Sequence, residues 1–272
     1  MKYEIIGKIR VPKIGFGTAQ LGGSLIPNRS RDAFYLSAVR SALELGYIHF
    51  DTADFYSFGH SEELIGRAVR ETNTKRENLF ITTKVWPTRL TYNKVLRACE
   101  NSLRRLQTDH IDLYLVHWPN PFVPLRETFR ALNKLVKDEK VKHLGVSNFN
   151  VKLLKEAQSL SETPIIADQV PYSLSERSYA KNGLLEYCQQ NDILVTAYTP
   201  ISHGRISANK TLQSIAEAHH ATLHQIALAW LINQPRVIAI PMSFNPVHQK
   251  ENLEAADIQL TPSEMEQLGV LQ

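Results

Sequence analysis

Along most of the chain, short apolar runs alternate with longer stretches in which apolar residues recur every three or four positions. The short runs are Ile14–Gly17, Tyr47–Asp51, Leu79–Val85, Ile111–His117, Val141–Val146, Pro164–Val170, Leu194–Tyr198 and Val237–Ile240. Most are apolar throughout rather than at alternate positions, which predicts parallel strands covered by helices. The longer stretches, among them Arg31–Leu45, Asn93–Leu106, Leu125–Lys137 and Val151–Ser159, predict those helices. In the second of them Val95, Cys99, Ser102, Leu103 and Leu106 share one stripe at helical spacing.

Strands alternating with helices imply a parallel sheet built from right-handed crossovers. Eight such units predict an α/β fold, a closed (β/α)₈ TIM barrel. An open doubly wound sheet would carry a G-x-G-x-x-G turn after an early strand. The chain instead reads Gly15-Phe16-Gly17-Thr18-Ala19-Gln20, without the third glycine. Two pieces lie outside the repeat. Tyr3–Ile6 and Lys8–Val11 flank Gly7 and predict a hairpin that plugs the lower end of the barrel. Thr261–Gln267 opens with Thr-Pro-Ser-Glu and predicts an extra C-terminal helix. No linker composition divides the chain, so residues 1–272 are expected to form a single domain.

Composition narrows the class. With 43% hydrophobic and 21% charged residues the chain can bury a full core and carries no disorder signature. Two cysteines, Cys99 and Cys188, exclude a disulfide scaffold and a cysteine-cluster metal site, and suit a cytoplasmic protein. The net charge of +4 is mixed along the chain, and the most basic stretch, Lys134 to His143, also holds Asp138 and Glu139. A nucleic-acid footprint needs clustered cations, so no nucleic-acid partner is expected. The N-terminus has no long apolar run and no small-residue cleavage site, so no signal peptide is expected, and no apolar stretch is long enough to predict a membrane span.

Barrel enzymes build their sites at the C-terminal ends of the strands. Those ends carry Asp51, Lys84, His117, Ser147 with Asn148, Gln169, Tyr198 and Ser243. Any one of them is ordinary, since strands end where water begins. An acid, an ammonium and an imidazole closing three successive strands converge on one mouth. Tyr56 falls in the loop after Asp51. A free phenol, with a pKa of about 10, is a poor proton donor at neutral pH. The Lys84 ammonium is expected to lower that pKa, with Asp51 keeping the lysine charged. A carbonyl oxygen held by Tyr56 and His117 would be polarised for attack by hydride, with Tyr56 as general acid.

These residues resemble the aldo-keto reductase family. The resemblance rests on Phe50-Asp51-Thr52-Ala53 followed by Tyr56, on Thr83-Lys84, on Val116-His117-Trp118-Pro119 and on Gly145-Val146-Ser147-Asn148-Phe149, in that order. It runs from Gly15 to Asn252 and implies a barrel that reduces aldehydes and ketones with a nicotinamide cofactor and no metal. Asp51, Tyr56, Lys84 and His117 then match the family's catalytic tetrad. Ser147, Asn148 and Gln169 match residues that hold the nicotinamide carboxamide, Tyr198 the aromatic that stacks on its ring, and Gly17 and Thr18 the turn beside the cofactor.

At the far end of the cofactor the family commonly shows Ile-Pro-Lys-Ser, then an arginine and Glu-Asn. Here Ser243, Asn245, Glu251 and Asn252 match, but Met242 replaces the lysine and His248 the arginine. Neither methionine nor neutral imidazole gives a guanidinium's bidentate, permanent charge. The expectation is NADP(H), with NAD(H) as the alternative and a weakened preference that recovers at lower pH as His248 protonates. Lys250 is a further source of charge.

Phe55, Trp86, Trp118 and Phe122 follow strand ends and are expected to line an apolar substrate mouth. Ala19 stands where many family members carry a larger aromatic. The short Asn120–Pro124 segment and the short tail after Gln267 suggest an open site for a small-molecule carbonyl, with broad aldehyde specificity. A monomer or weak homo-oligomer is expected. Two rival readings remain at this level. One is a cofactor-binding regulatory barrel with little turnover; the other is a metal-dependent hydrolase using His49, Asp51 and His117.

Overall fold

The computed structural model describes residues 2–204, 206 and 209–271. Two antiparallel strands open the chain, β1 (Tyr3–Ile6) and β2 (Ile9–Pro12). Eight parallel strands follow: β3 (Phe16–Gly17), β4 (His49–Asp51), β5 (Phe80–Val85), β6 (Ile111–Val116), β7 (Val141–Ser147), β8 (Ile165–Pro171), β9 (Leu194–Tyr198) and β10 (Val237–Ala239). Each pairs with its neighbour in chain order. The first and last meet through Lys13–Gly17: Gly15 N–H donates to Ala239 O at 2.8 Å, and Ala239 N–H donates to Lys13 O at 2.9 Å. The sheet is therefore a closed (β/α)₈ barrel.

The helices that cover it are α1 (Asp32–Glu44), α2 (His60–Glu71), α3 (Tyr92–Leu106), α4 (Leu125–Lys137), α5 (Val151–Leu160), α6 (Ser178–Lys181), α7 (Leu184–Gln190), α8 (Lys210–Ala218), α9 (Leu223–Ile232) and α10 (Pro246–Glu254). A last helix, α11 (Pro262–Gly269), starts from a capping box in which Thr261 and Glu264 satisfy each other's backbone N–H. Apolar stripes such as Val95, Cys99, Leu103 and Leu106 of α3 are buried against the strands.

Inside the barrel, a second core of Leu113, Leu115, Ile166, Ala167, Leu194 and Ile238 is closed from below by Ile6 and Val11 of the hairpin. Glu4 ties the hairpin to the barrel by pairing with Lys13 and Arg236. With the lower end filled, the polar ends of the strands face the upper mouth.

Candidate active site

Lys84 lies on β5 and points into the barrel, fully buried. Its ammonium donates to Asp51 Oδ1 at 2.5 Å, to the Thr52 carbonyl at 2.8 Å and to the Tyr56 hydroxyl at 3.4 Å. Every hydrogen on the nitrogen has an acceptor. Burial is the largest single influence and works against the charge, but the Asp51 carboxylate and the Tyr56 oxygen together outweigh it, so the ammonium holds its proton above its ordinary range. The other oxygen of Asp51 accepts from Gln169 Nε2 at 2.7 Å.

Tyr56 begins a turn in which Ser57, Phe58 and Gly59 adopt φ values of 47°, 52° and 89°. Left-handed backbone costs non-glycine residues of order 1–3 kcal/mol each, so the surroundings must hold it. Ser57 does part of this, donating its hydroxyl to Gly23 O at 2.9 Å. The phenol departs from the sequence expectation. Burial raises its pKa by more than the Lys84 ammonium lowers it, so the net shift is upward from 10. At neutral pH it is an uncharged proton donor.

His117 sits just past β6, edge-on to Tyr56 with ring centroids 5.7 Å apart and to Trp86 at 5.1 Å. Burial, aided by the Lys84 charge, lowers its pKa to about 3, so the imidazole is neutral. Its Nδ1 has no hydrogen-bond partner among the described residues.

Beside this group Asn148, in left-handed backbone, donates through Nδ2 to His117 O at 3.1 Å and to Ser147 Oγ at 2.9 Å, and accepts from the Tyr198 hydroxyl at 3.0 Å. Ser147 donates to Gln169 O at 2.8 Å. Thr18 donates to Asp51 O at 2.8 Å. A cavity of about 720 Å³ runs from Tyr56, His117 and Trp118 past Gly17, Thr18, Ser147, Asn148, Gln169 and Tyr198 to Ser243, His248, Glu251 and Asn252. That volume is within the usual range for a small-molecule site.

Several sequence-predicted residues are placed differently. Asn245 lies outside the cavity lining: its side chain caps α10 by accepting from Val247 N–H at 3.0 Å. Phe55 and Trp86 stack on each other at 3.7 Å and form a wall behind His117, outside the main cavity. Trp118 lines the cavity and is 42% exposed, and Phe122 is exposed. Lys250 faces Glu254 at 3.6 Å on the helix surface, away from the cavity. His248 meets Glu251 at 2.9 Å. The hydrolase reading loses its ligands, because Asp51 is engaged by Lys84 and Gln169 while His49 bonds Thr82 at 3.1 Å.

The cavity also brings in residues that the strand-end reading missed: Gln20, Ile201, His203, Phe244, Thr222 and His224. Thr222 is legible as a helix start from its capping box with Gln225, but nothing local says that this start faces the mouth.

The aldo/keto reductase family profile matches residues 13–271. The chain belongs to this family. It is an oxidoreductase of a carbonyl-reducing family, and its relatives agree. The chain is 34% identical over 271 residues to the methylglyoxal reductase YeaE of Escherichia coli, covering 97% of this chain and 92% of that protein. A thermostable aldo-keto reductase, Tm1743, solved with the inhibitor epalrestat, superposes with a TM-score of 0.96 at 44% identity over 99% of both chains. The aldo/keto reductase of Klebsiella pneumoniae, solved with NADP and acetate, superposes at 0.87 and 35% identity, over 98% of this chain and 94% of that one. Among the described residues of this aldo/keto reductase, no helix is long and apolar enough to cross a membrane.

Proposed function

We propose that this aldo/keto reductase, acting as one domain over 1–272, reduces small aldehydes and ketones to alcohols with NADPH, and that Tyr56 delivers the proton. The observation that carries the reading is the buried Asp51–Lys84–Tyr56 chain ending beside a neutral imidazole at the mouth. Neutral His117 offers an N–H to a carbonyl oxygen without competing as an acid. Tyr56 holds its proton until that oxygen gains negative charge. Lys84 then stabilises the phenolate from 3.4 Å, and Asp51 keeps Lys84 charged and aimed.

The donor set fits a nicotinamide nucleotide. Ser147, Asn148 and Gln169 offer amide and hydroxyl groups at the reacting end, and Tyr198 presents a ring anchored through its hydroxyl. Ser243, Glu251 and Asn252 line the far end. Bound there, the nicotinamide supplies hydride. Two buried free thiols, Cys99 and Cys188, suit a reducing cytoplasmic setting.

The test is loss of 340 nm absorbance from NADPH, and in parallel NADH, with methylglyoxal and with 4-nitrobenzaldehyde. Turnover is expected, and Tyr56→Phe should lower kcat by roughly 10²-fold or more, the usual worth of a positioned proton donor. Cofactor binding without turnover would establish the regulatory reading instead.

A further inference from the structure

We propose that the Glu62–Arg105 ion pair, outside the barrel wall, is a positioning device that sets Tyr56 against Lys84. The proposal rests on the reading of Tyr56 as proton donor. Glu62 belongs to the first turn of α2 and is fully buried. Its Oε2 accepts from Arg105 Nε at 2.7 Å and lies 2.6 Å from a second guanidinium nitrogen. Its Oε1 accepts from the Thr83 hydroxyl at 2.6 Å. Thr83 precedes Lys84 on β5, and alternation sends Lys84 into the barrel and Thr83 out to the helices. One carboxylate thus joins the lysine strand to the α2–α3 layer.

The same pair reaches the tyrosine from the other side. Gly59 closes the run of left-handed residues that follows Tyr56, and the Arg105 guanidinium packs on it. A Cβ at Gly59 would fall 2.5 Å from Arg105 Nε. Gly66 repeats this close approach one helical stretch later, where a Cβ would fall 2.6 Å from the Leu106 carbonyl. The tyrosine turn therefore rests on a guanidinium whose partner is bonded to the residue next to Lys84.

Cohesion alone does not account for a fully buried carboxylate paired to a partly buried guanidinium here, because apolar residues of similar volume hold helices together as well or better. A charge-assisted pair fixes distance and angle. The Tyr56–Lys84 contact of 3.4 Å is near the outer limit of a hydrogen bond, where small displacements matter most.

The test compares Glu62→Gln, Arg105→Met, Arg105→Lys and Thr83→Val in aldehyde reduction with saturating NADPH, with rates counted per cofactor-binding site. Thr83→Val keeps the ion pair and removes only its tie to β5, so it remains informative where Arg105→Met fails to fold. In Glu62→Gln, Arg105→Met and Thr83→Val, kcat should fall about tenfold or more, because misplacement by ~1 Å costs on the order of 10²-fold, while KM for NADPH stays within about twofold. The solvent deuterium isotope effect on kcat should rise as proton delivery becomes limiting, and Arg105→Lys should restore part of the rate. A lowered melting temperature with wild-type kcat and isotope effect would show the pair to be structural only and overturn the proposal. Full activity in Tyr56→Phe would overturn the proton-donor reading and this proposal together; an inactive Tyr56→Phe beside unaffected Thr83→Val and Glu62→Gln would overturn this one alone.

Discussion

Tyr56 shows what a charge-only argument omits. The lysine next to it does pull the phenol toward ionisation, as the residue types imply, yet removing the ring oxygen from water is the larger effect. The phenol stays protonated across the physiological range, and in the proposed mechanism Lys84 acts on the phenolate formed as Tyr56 gives up its proton. Met242 and His248 are legible in the same residue-by-residue way. No lysine or arginine lines the cavity among the described residues, and His248 Nδ1 lies 2.9 Å from the Glu251 carboxylate. Met242→Lys is therefore expected to tighten NADPH about tenfold relative to NADH, near the lower end of the ~1.5–3 kcal/mol of a charge-assisted contact. Titration calorimetry with both cofactors reads this directly. Equal tightening of both would mean that the new ammonium does not meet the 2′-phosphate.

Elements differ in how plainly their sequences show them. The helix Leu125–Lys137 follows its apolar stripe to the residue, and α3 begins one position earlier than the periodicity suggests. Long amphipathic stripes average out local exceptions. The first two barrel strands shrink instead, to Phe16–Gly17 and His49–Asp51, because pairing rather than apolarity sets where a strand starts. Ile14 is as buried as Phe16 but meets β10 only through a single bridge to Ala239. Closure there depends on Gly17, where a Cβ would come 2.6 Å from the Ile240 carbonyl oxygen. Backbone cannot rotate away as a side chain does. Gly17→Ala should cost about 1–3 kcal/mol, the usual range for overpacking, measured by urea unfolding. An unchanged midpoint would mean that the seam opens freely.

At the scale of the whole molecule, the barrel takes titratable groups out of water whatever their chemistry. His49 bonds Thr82 through Nε2, its Nδ1 has no partner among the described residues, and burial lowers its pKa to about 4. Below pH 6.5 the unfolded chain gains a proton that native His49 refuses, so its contribution to stability falls as pH drops from about 6.5 toward 4. Asp54, whose pKa burial raises to about 6 despite Arg89, acts in the opposite sense over much of that window. The total therefore hides the effect and a difference reveals it. The stability advantage of the wild type over His49→Gln should be smaller at pH 5 than at pH 7 in urea titrations. A constant difference would show that native His49 titrates as it does in the unfolded chain.

The sequence by itself determined the eightfold alternation, the plugging hairpin, the closing helix and the chemical groups at the strand ends, because periodicity and residue type are properties of neighbours along the chain. Tertiary structure decided what those groups do to one another. Gln169 reaches Asp51 across 118 positions, Phe55 and Trp86 turn to each other behind the mouth, and Asn245 closes a helix. Glu62 and Arg105, 43 positions apart, form a bracket that no local pattern announces. Distance and desolvation set proton affinity and reach, and both arise only when remote segments close on the same core.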